Sequence, residues 1–94
     1  MSVCYVELKI DLPFSRNLKD KRAVMKSVTS TISKNFNVSI SEIDFNDVWK
    51  TAKIGIAMVA SNGKNFDPMI STLLEFIERN YPDIQISIIS KELI

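Results

Sequence analysis

A basic run, Arg16, Lys19, Lys21, Arg22 and Lys26, crowds the first two turns of a segment with helical periodicity. At about 100° per residue, Lys19, Arg22 and Lys26 fall within about 60° of one another and form one flank beside the apolar face. Lys21 lands inside the apolar arc, so its stem is expected along the core edge with the ammonium reaching out. Cations at a helix N-terminus oppose the macrodipole by ~0.3–1 kcal/mol each when exposed. Asp20 offsets part of that. Clustered Lys and Arg beside free helix N–H groups suit a phosphate or a carboxylate. The functional reading is an RNA phosphate backbone or an acidic partner surface. The plain alternative is a solvated polar face.

Other chemistry is thinner. The chain has no histidine, which removes the commonest general acid/base and metal ligand. Glu7, Asp11, Glu42, Asp44 and Asp47 would need to converge to hold a hard metal ion, and Lys9 stands among them. Cys4, the single cysteine, takes an inward strand position and reads as core. Ser15, Ser27, Ser30, Ser33 and Thr31 have no base to activate them. Gly63 is alone in its turn and forms no phosphate loop. The expectation is a non-catalytic chain with no catalytic residue, metal or cofactor.

Alternation, helical periodicity and turn residues place the elements around these groups. Residues 3–12 alternate, with Cys4, Val6, Leu8, Ile10 and Leu12 inward and Tyr5, Glu7, Lys9 and Asp11 outward. Pro13 stops that strand. Asn17 caps a helix over about 18–35, Asp20 reaching back as in a capping box, with Asn35 and Asn37 as left-handed stop residues. A strand is expected around 40–47, with a bulge near Ser41-Glu42 that reconciles Val38 and Ile40 with Ile43 and Phe45. Trp49 closes it. Residues 52–60 form a further strand, Ile54, Ile56 and Met58 inward, Gly55, Ala57 and Val59 outward. Ser61-Asn62-Gly63-Lys64 is a turn. Asp67-Pro68 opens a second helix with a broad apolar face, which Tyr81-Pro82-Asp83 ends. Ile84, Ile86 and Ile88 alternate with Gln85, Ser87 and Ile89 in a last strand.

The order β-α-β-β-α-β predicts one α+β domain over 1–94. It is a ferredoxin-like sandwich of four antiparallel strands with both helices on one face. The other sheet face is left open, with Tyr5, Glu7, Lys9, Glu42, Asp44, Gly55, Ala57, Val59, Gln85, Ser87 and Ile89 assigned to it. A sheet that reads RNA stacks bases on aromatic side chains, and here Tyr5 faces only small residues. Those small residues let another backbone approach, so Tyr5, Gly55, Ala57, Val59 and Ile89 are the candidate surface for a homodimer.

Three segments carry a family resemblance: Asn17-Leu18-Lys19-Asp20-Lys21-Arg22; Phe36-Asn37-Val38-Ser39-Ile40 with Glu42 and Asp44; and Asp47-Val48-Trp49 followed by Ala52 and Gly55. Together they resemble the YlxP-like family of small bacterial proteins, a domain of unknown function, over essentially the whole chain. The resemblance implies a ferredoxin-like fold. It implies a setting near translation initiation and ribosome maturation, where genes of that family often lie. It brings no functional residues.

The totals agree with a plain globular domain, 46% hydrophobic and 24% charged. A net charge of +1 argues against a uniformly basic nucleic-acid coat. The N-terminal residues do not read as a leader peptide and no apolar run reaches about 18 residues, so the expected setting is the cytoplasm, away from the membrane. The expected function is a binding module for RNA or the ribosome through Arg16, Lys19, Lys21, Arg22 and Lys26, with no DNA-specific signal. The alternative is self-association through the open sheet face.

Overall fold

The computed structural model describes residues 2–61 and 66–94, so most of the expected turn at Ser61-Asn62-Gly63-Lys64 lies outside the described residues. The elements are β1 Ser2–Asp11, α1 Leu18–Asn35, β2 Ser39–Asp44, β3 Thr51–Ala60, α2 Asp67–Asn80 and β4 Gln85–Leu93. The strands form one antiparallel sheet in the order β2-β3-β1-β4, the ferredoxin-like arrangement. Burial follows the alternation of β1 and β3: Cys4, Val6, Leu8 and Ile10 pair in register with Met58, Ile56, Ile54 and Ala52, and all are buried. Met25, Val28 and Ile32 of α1 and Ile70, Leu73 and Ile77 of α2 complete the same core. Both helices therefore cover one sheet face, as the single apolar stripe on each requires. Phe36 and Phe76 meet edge to face, centroids 5.3 Å apart, and tie the end of α1 to α2.

Asn17 caps α1 as expected, its Oδ1 accepting from Asp20 N at 2.8 Å. Asp20 reaches one residue further back than a capping box, accepting from Arg16 N at 3.1 Å. The C-terminus of α1 leaves through Phe36 in extended backbone rather than a left-handed asparagine. Asn35 instead donates its amide to Thr31 O.

Both edge strands carry a bulge. In β2 the register shifts between Glu42 and Asp44, leaving Ile43 unpaired, slightly later than the Ser41-Glu42 expectation. The strand stops at Asp44 instead of running to 47, because Phe45 takes φ 63°, a left-handed value that breaks the ladder. Trp49 thus belongs to a loop, 45–50, and not to a strand end. In β4 the register shifts opposite Glu7 and Leu8, leaving Ile89 unpaired, and the strand continues to Leu93. Ile84 is buried and Ile86 half-buried, but Ile88, expected inward, is exposed.

Candidate functional site

The basic run divides into three parts. Lys21 is 1% exposed, and the expectation of an ammonium reaching out is corrected. Its Nζ donates to Phe45 O and, at 2.6 Å, to Val48 O, and lies 3.0 Å from Glu42 Oε2. The carboxylate contact is an ion pair without hydrogen-bond alignment, so Oε2 keeps no donor. A side chain in the apolar arc of α1 has no route to water beneath β2, so the ammonium turns to backbone carbonyls. Those carbonyls come from the 45–50 loop. Asp44 Oδ1 adds a bond from Phe45 N at 2.8 Å, and Val48 N closes on Phe45 O at 3.0 Å. A bulky residue with positive φ persists only where its surroundings over-determine it. Here Lys21 and Asp44 do so.

Arg16 is the second part. Its Nε lies 3.2 Å from Asp20 Oδ2, and its own backbone N–H donates to the same oxygen. Those bonds, the backbone one first, hold the Asp20 carboxyl below its ordinary range. The helix N-terminus already has an anion of its own. Lys19, Arg22 and Lys26 make up the third part: all are exposed, and among the described residues none of their side chains forms a hydrogen bond or ion pair. Arg22 and Lys26 line an open groove of about 370 Å³ between α1 and β2, with Thr29, Ile40, Ser41 and Glu42 opposite or beneath.

The open sheet face is more occupied than its alternation suggests. Tyr5 lies over Gly55, where an added Cβ would meet the phenol oxygen at 2.6 Å. The same oxygen donates to Glu7 Oε2 at 2.9 Å, and Lys53 Nζ stands 3.3 Å from Glu7 Oε1. That hydrogen bond, with lesser help from burial and the Glu7 charge, raises the Tyr5 phenol above its ordinary value. Ala57 is half-buried and Val59 is 56% exposed. Ile89 sits at the bulge of the edge strand, away from the stripe of small residues. Glu42, assigned to this face, lies opposite Ile54 on the helix side, because the bulge follows it rather than precedes it.

The acidic residues are dispersed. Glu7 serves Tyr5 and Lys53, Glu42 serves Lys21, Asp11 accepts from Thr51 at 3.2 Å, and Asp44 caps Phe45. Among the described residues no group of three side chains is placed to hold a metal ion. Burial holds the Cys4 thiol above its ordinary pKa. No described helix is long and apolar enough to cross a membrane. The pinned loop, with Phe45, Val48 and Trp49 partly exposed, was not foreseen. The one legible hint was Lys21 inside an apolar arc, which demanded buried acceptors from somewhere.

The chain belongs to the family described as "Protein of unknown function (DUF503)", whose model matches residues 3–91. It is similar to "Uncharacterized protein YlxP" of Bacillus subtilis (strain 168), at 38% identity over 76 residues, 81% of this chain and 82% of that protein. The YlxP-like resemblance of the three quoted segments therefore extends across the domain.

Proposed function

We propose that this chain is a non-catalytic binding module that holds an RNA phosphate backbone, on the ribosome or off it, along the flank of α1. The observation that carries the reading is the set Lys19, Arg22 and Lys26: three exposed cations on one helix flank, none in an ion pair among the described residues, with only Lys19 acting on Asp20 through space. Two of them share the groove beside β2. Free cations on a rigid helix suit a polyanion, whose condensed counter-ions are released on contact. Lys21 drops out as a direct contact because its ammonium is enclosed, and Arg16 shares its charge with Asp20.

Self-association over the open face has less behind it. Tyr5 fills the space above Gly55 that a second backbone would need, and the Glu7–Lys53 pair places charge at its centre.

A filter-binding salt series tests the RNA reading. Changing Lys19, Arg22 and Lys26 together to alanine should weaken binding to all single-stranded sequences alike. The slope of log K against log salt should flatten by about 2 units, near 0.7 per contact. Arg16→Ala should do less than any of the three. Unchanged RNA binding and ribosome co-sedimentation in the triple variant would end this reading.

A further inference from the structure

The geometry points to β4 as the seam of a homodimer. Two copies pair their β4 strands antiparallel about a twofold axis between Ile88 and Ile89, joining two four-stranded sheets into one. The inference is independent of the RNA reading, because β4 and the α1–β2 groove lie at opposite edges of the sheet.

The two edges are not alike. β2 is only six residues long and ends in an acidic residue beside a pinned loop. Those are ordinary protections for an edge. β4 is nine residues long, with β1 on one side and no described strand on the other. Its one cation, Lys91, is drawn toward α2, Nζ 2.5 Å from Asp67 Oδ1, and does not stand guard on the edge.

Register shows that an apolar row is missing its cover. Ile88 lies opposite Leu8 and Leu93 opposite Cys4, both core residues, so Ile88 and Leu93 belong to the helix-facing row. Yet Ile88 is 49% and Leu93 68% exposed. Ile89 and Ile94 are exposed as well, so four apolar side chains on or just after β4 together leave roughly 400 Å² uncovered. Adding the backbone edge brings each copy toward the ~800 Å² per partner of a standard interface.

The bulge selects a second copy as the occupant. A twofold axis perpendicular to the sheet keeps each residue on its own face, so paired residues must already share a face. In an unbroken strand, pairing about a point between two residues violates that condition, because neighbours alternate. The unpaired Ile89 shifts the alternation by one. Ser87 opposite Lys9 and Ser90 opposite Glu7 now lie on the open face, as do Gln85 opposite Asp11 and Glu92 opposite Tyr5. Ile86 opposite Ile10 and Lys91 opposite Val6 lie on the helix side. About the Ile88–Ile89 midpoint, Ser87 then meets Ser90, Gln85 meets Glu92 and Ile86 meets the Lys91 stem, every pair sharing a face. Isoleucine meets isoleucine at the centre. The contact is self-complementary and closed, so it stops at a dimer and leaves only the β2 edges free.

Two experiments decide it. In sedimentation velocity the unmodified chain should form a concentration-dependent dimer, and Ile88→Lys with Ile89→Lys should raise its dissociation constant on the order of 100-fold. These side chains are exposed, so circular dichroism should show the fold kept. Separately, a Ser87→Cys, Ser90→Cys variant should cross-link to a covalent dimer on mild oxidation, while Ala57→Cys on the open face should not. A monomer at high concentration overturns the proposal. So does a dimer that withstands both lysines, or one trapped through Ala57→Cys and not through the β4 pair. The RNA reading stands or falls separately, by whether the Lys19, Arg22 and Lys26 alanine variant still binds RNA.

Discussion

Two Lys–Glu pairs lie on opposite sides of one sheet, and their surroundings give them different work. On the helix side Lys21 and Glu42 approach to 3.0 Å, with the lysine side chain 1% exposed. On the open side Lys53 and Glu7 approach to 3.3 Å, each between a fifth and a quarter exposed. In partial contact with water the second pair is screened and contributes little by itself. In the first only the glutamate reaches water, and the ammonium is shielded from it. Its ammonium is worth what it holds: two carbonyls of the 45–50 loop and a carboxylate. Charge type and spacing are the same in both, so exposure of the cation separates a structural rivet from an ordered surface.

The largest expected effect tests that contrast directly. Lys21→Met keeps the aliphatic stem but leaves two loop carbonyls and Glu42 without their cation. It should cost about 3 kcal/mol, the low end for breaking a buried pair, because Glu42 keeps some access to water. Lys53→Met should cost under about 1 kcal/mol. Urea unfolding of both variants makes the comparison. Trp49, the single tryptophan, sits in the pinned loop, so its emission should shift in Lys21→Met before the domain unfolds. Equal losses in the two variants would break the contrast.

How much of this was legible follows from which forces are local. Alternation in β1 and β3 and the stripes of both helices are decided by burial along one element. The fold, the core and the Asn17 cap could therefore be read from the residues. The placement of Glu42 could not. Whether a bulge comes before or after it is set by pairing with β3, distant in sequence, and a one-residue slip moves a side chain to the other face. Lys21 is a similar case. Its position in the apolar arc was visible, but its acceptors lie 24 and 27 residues away, in a loop whose left-handed Phe45 no propensity announces. The free set, Lys19, Arg22 and Lys26, was legible as a flank. Its separation from Arg16 required seeing Asp20 turn backward.

A smaller effect sharpens the open side. Gly55→Ala drives a methyl group into the Tyr5 phenol, and the ring must leave Glu7 to make room. The loss should be about 1 kcal/mol, from overpacking and one hydrogen bond. Made in a Tyr5→Ser background, the same change should cost close to nothing, since the obstructing ring is gone. A cycle with no coupling would mean that Tyr5 does not rest on Gly55 in solution.

The smallest effect is a titration. The Tyr5 phenol donates its proton to Glu7, and ionising it would set a phenolate against a carboxylate, so its folded pKa lies above the ordinary value of 10.0. A folded pKa raised above the unfolded one means stability that is complete below the unfolded pKa. That stability fades as pH climbs through the folded value. Glu7→Gln removes the charge while leaving an acceptor, and the phenolate absorbance of Tyr5 should then rise at lower pH than in the unmodified chain. Tyr5→Phe assigns the signal. Lys21→Met should leave this titration in place, because Lys21 lies beneath the sheet and Tyr5 above it. A midpoint that moves with Lys21 and not with Glu7 would mean that the two sides of the sheet are coupled, and that the contrast between their ion pairs is not one of exposure.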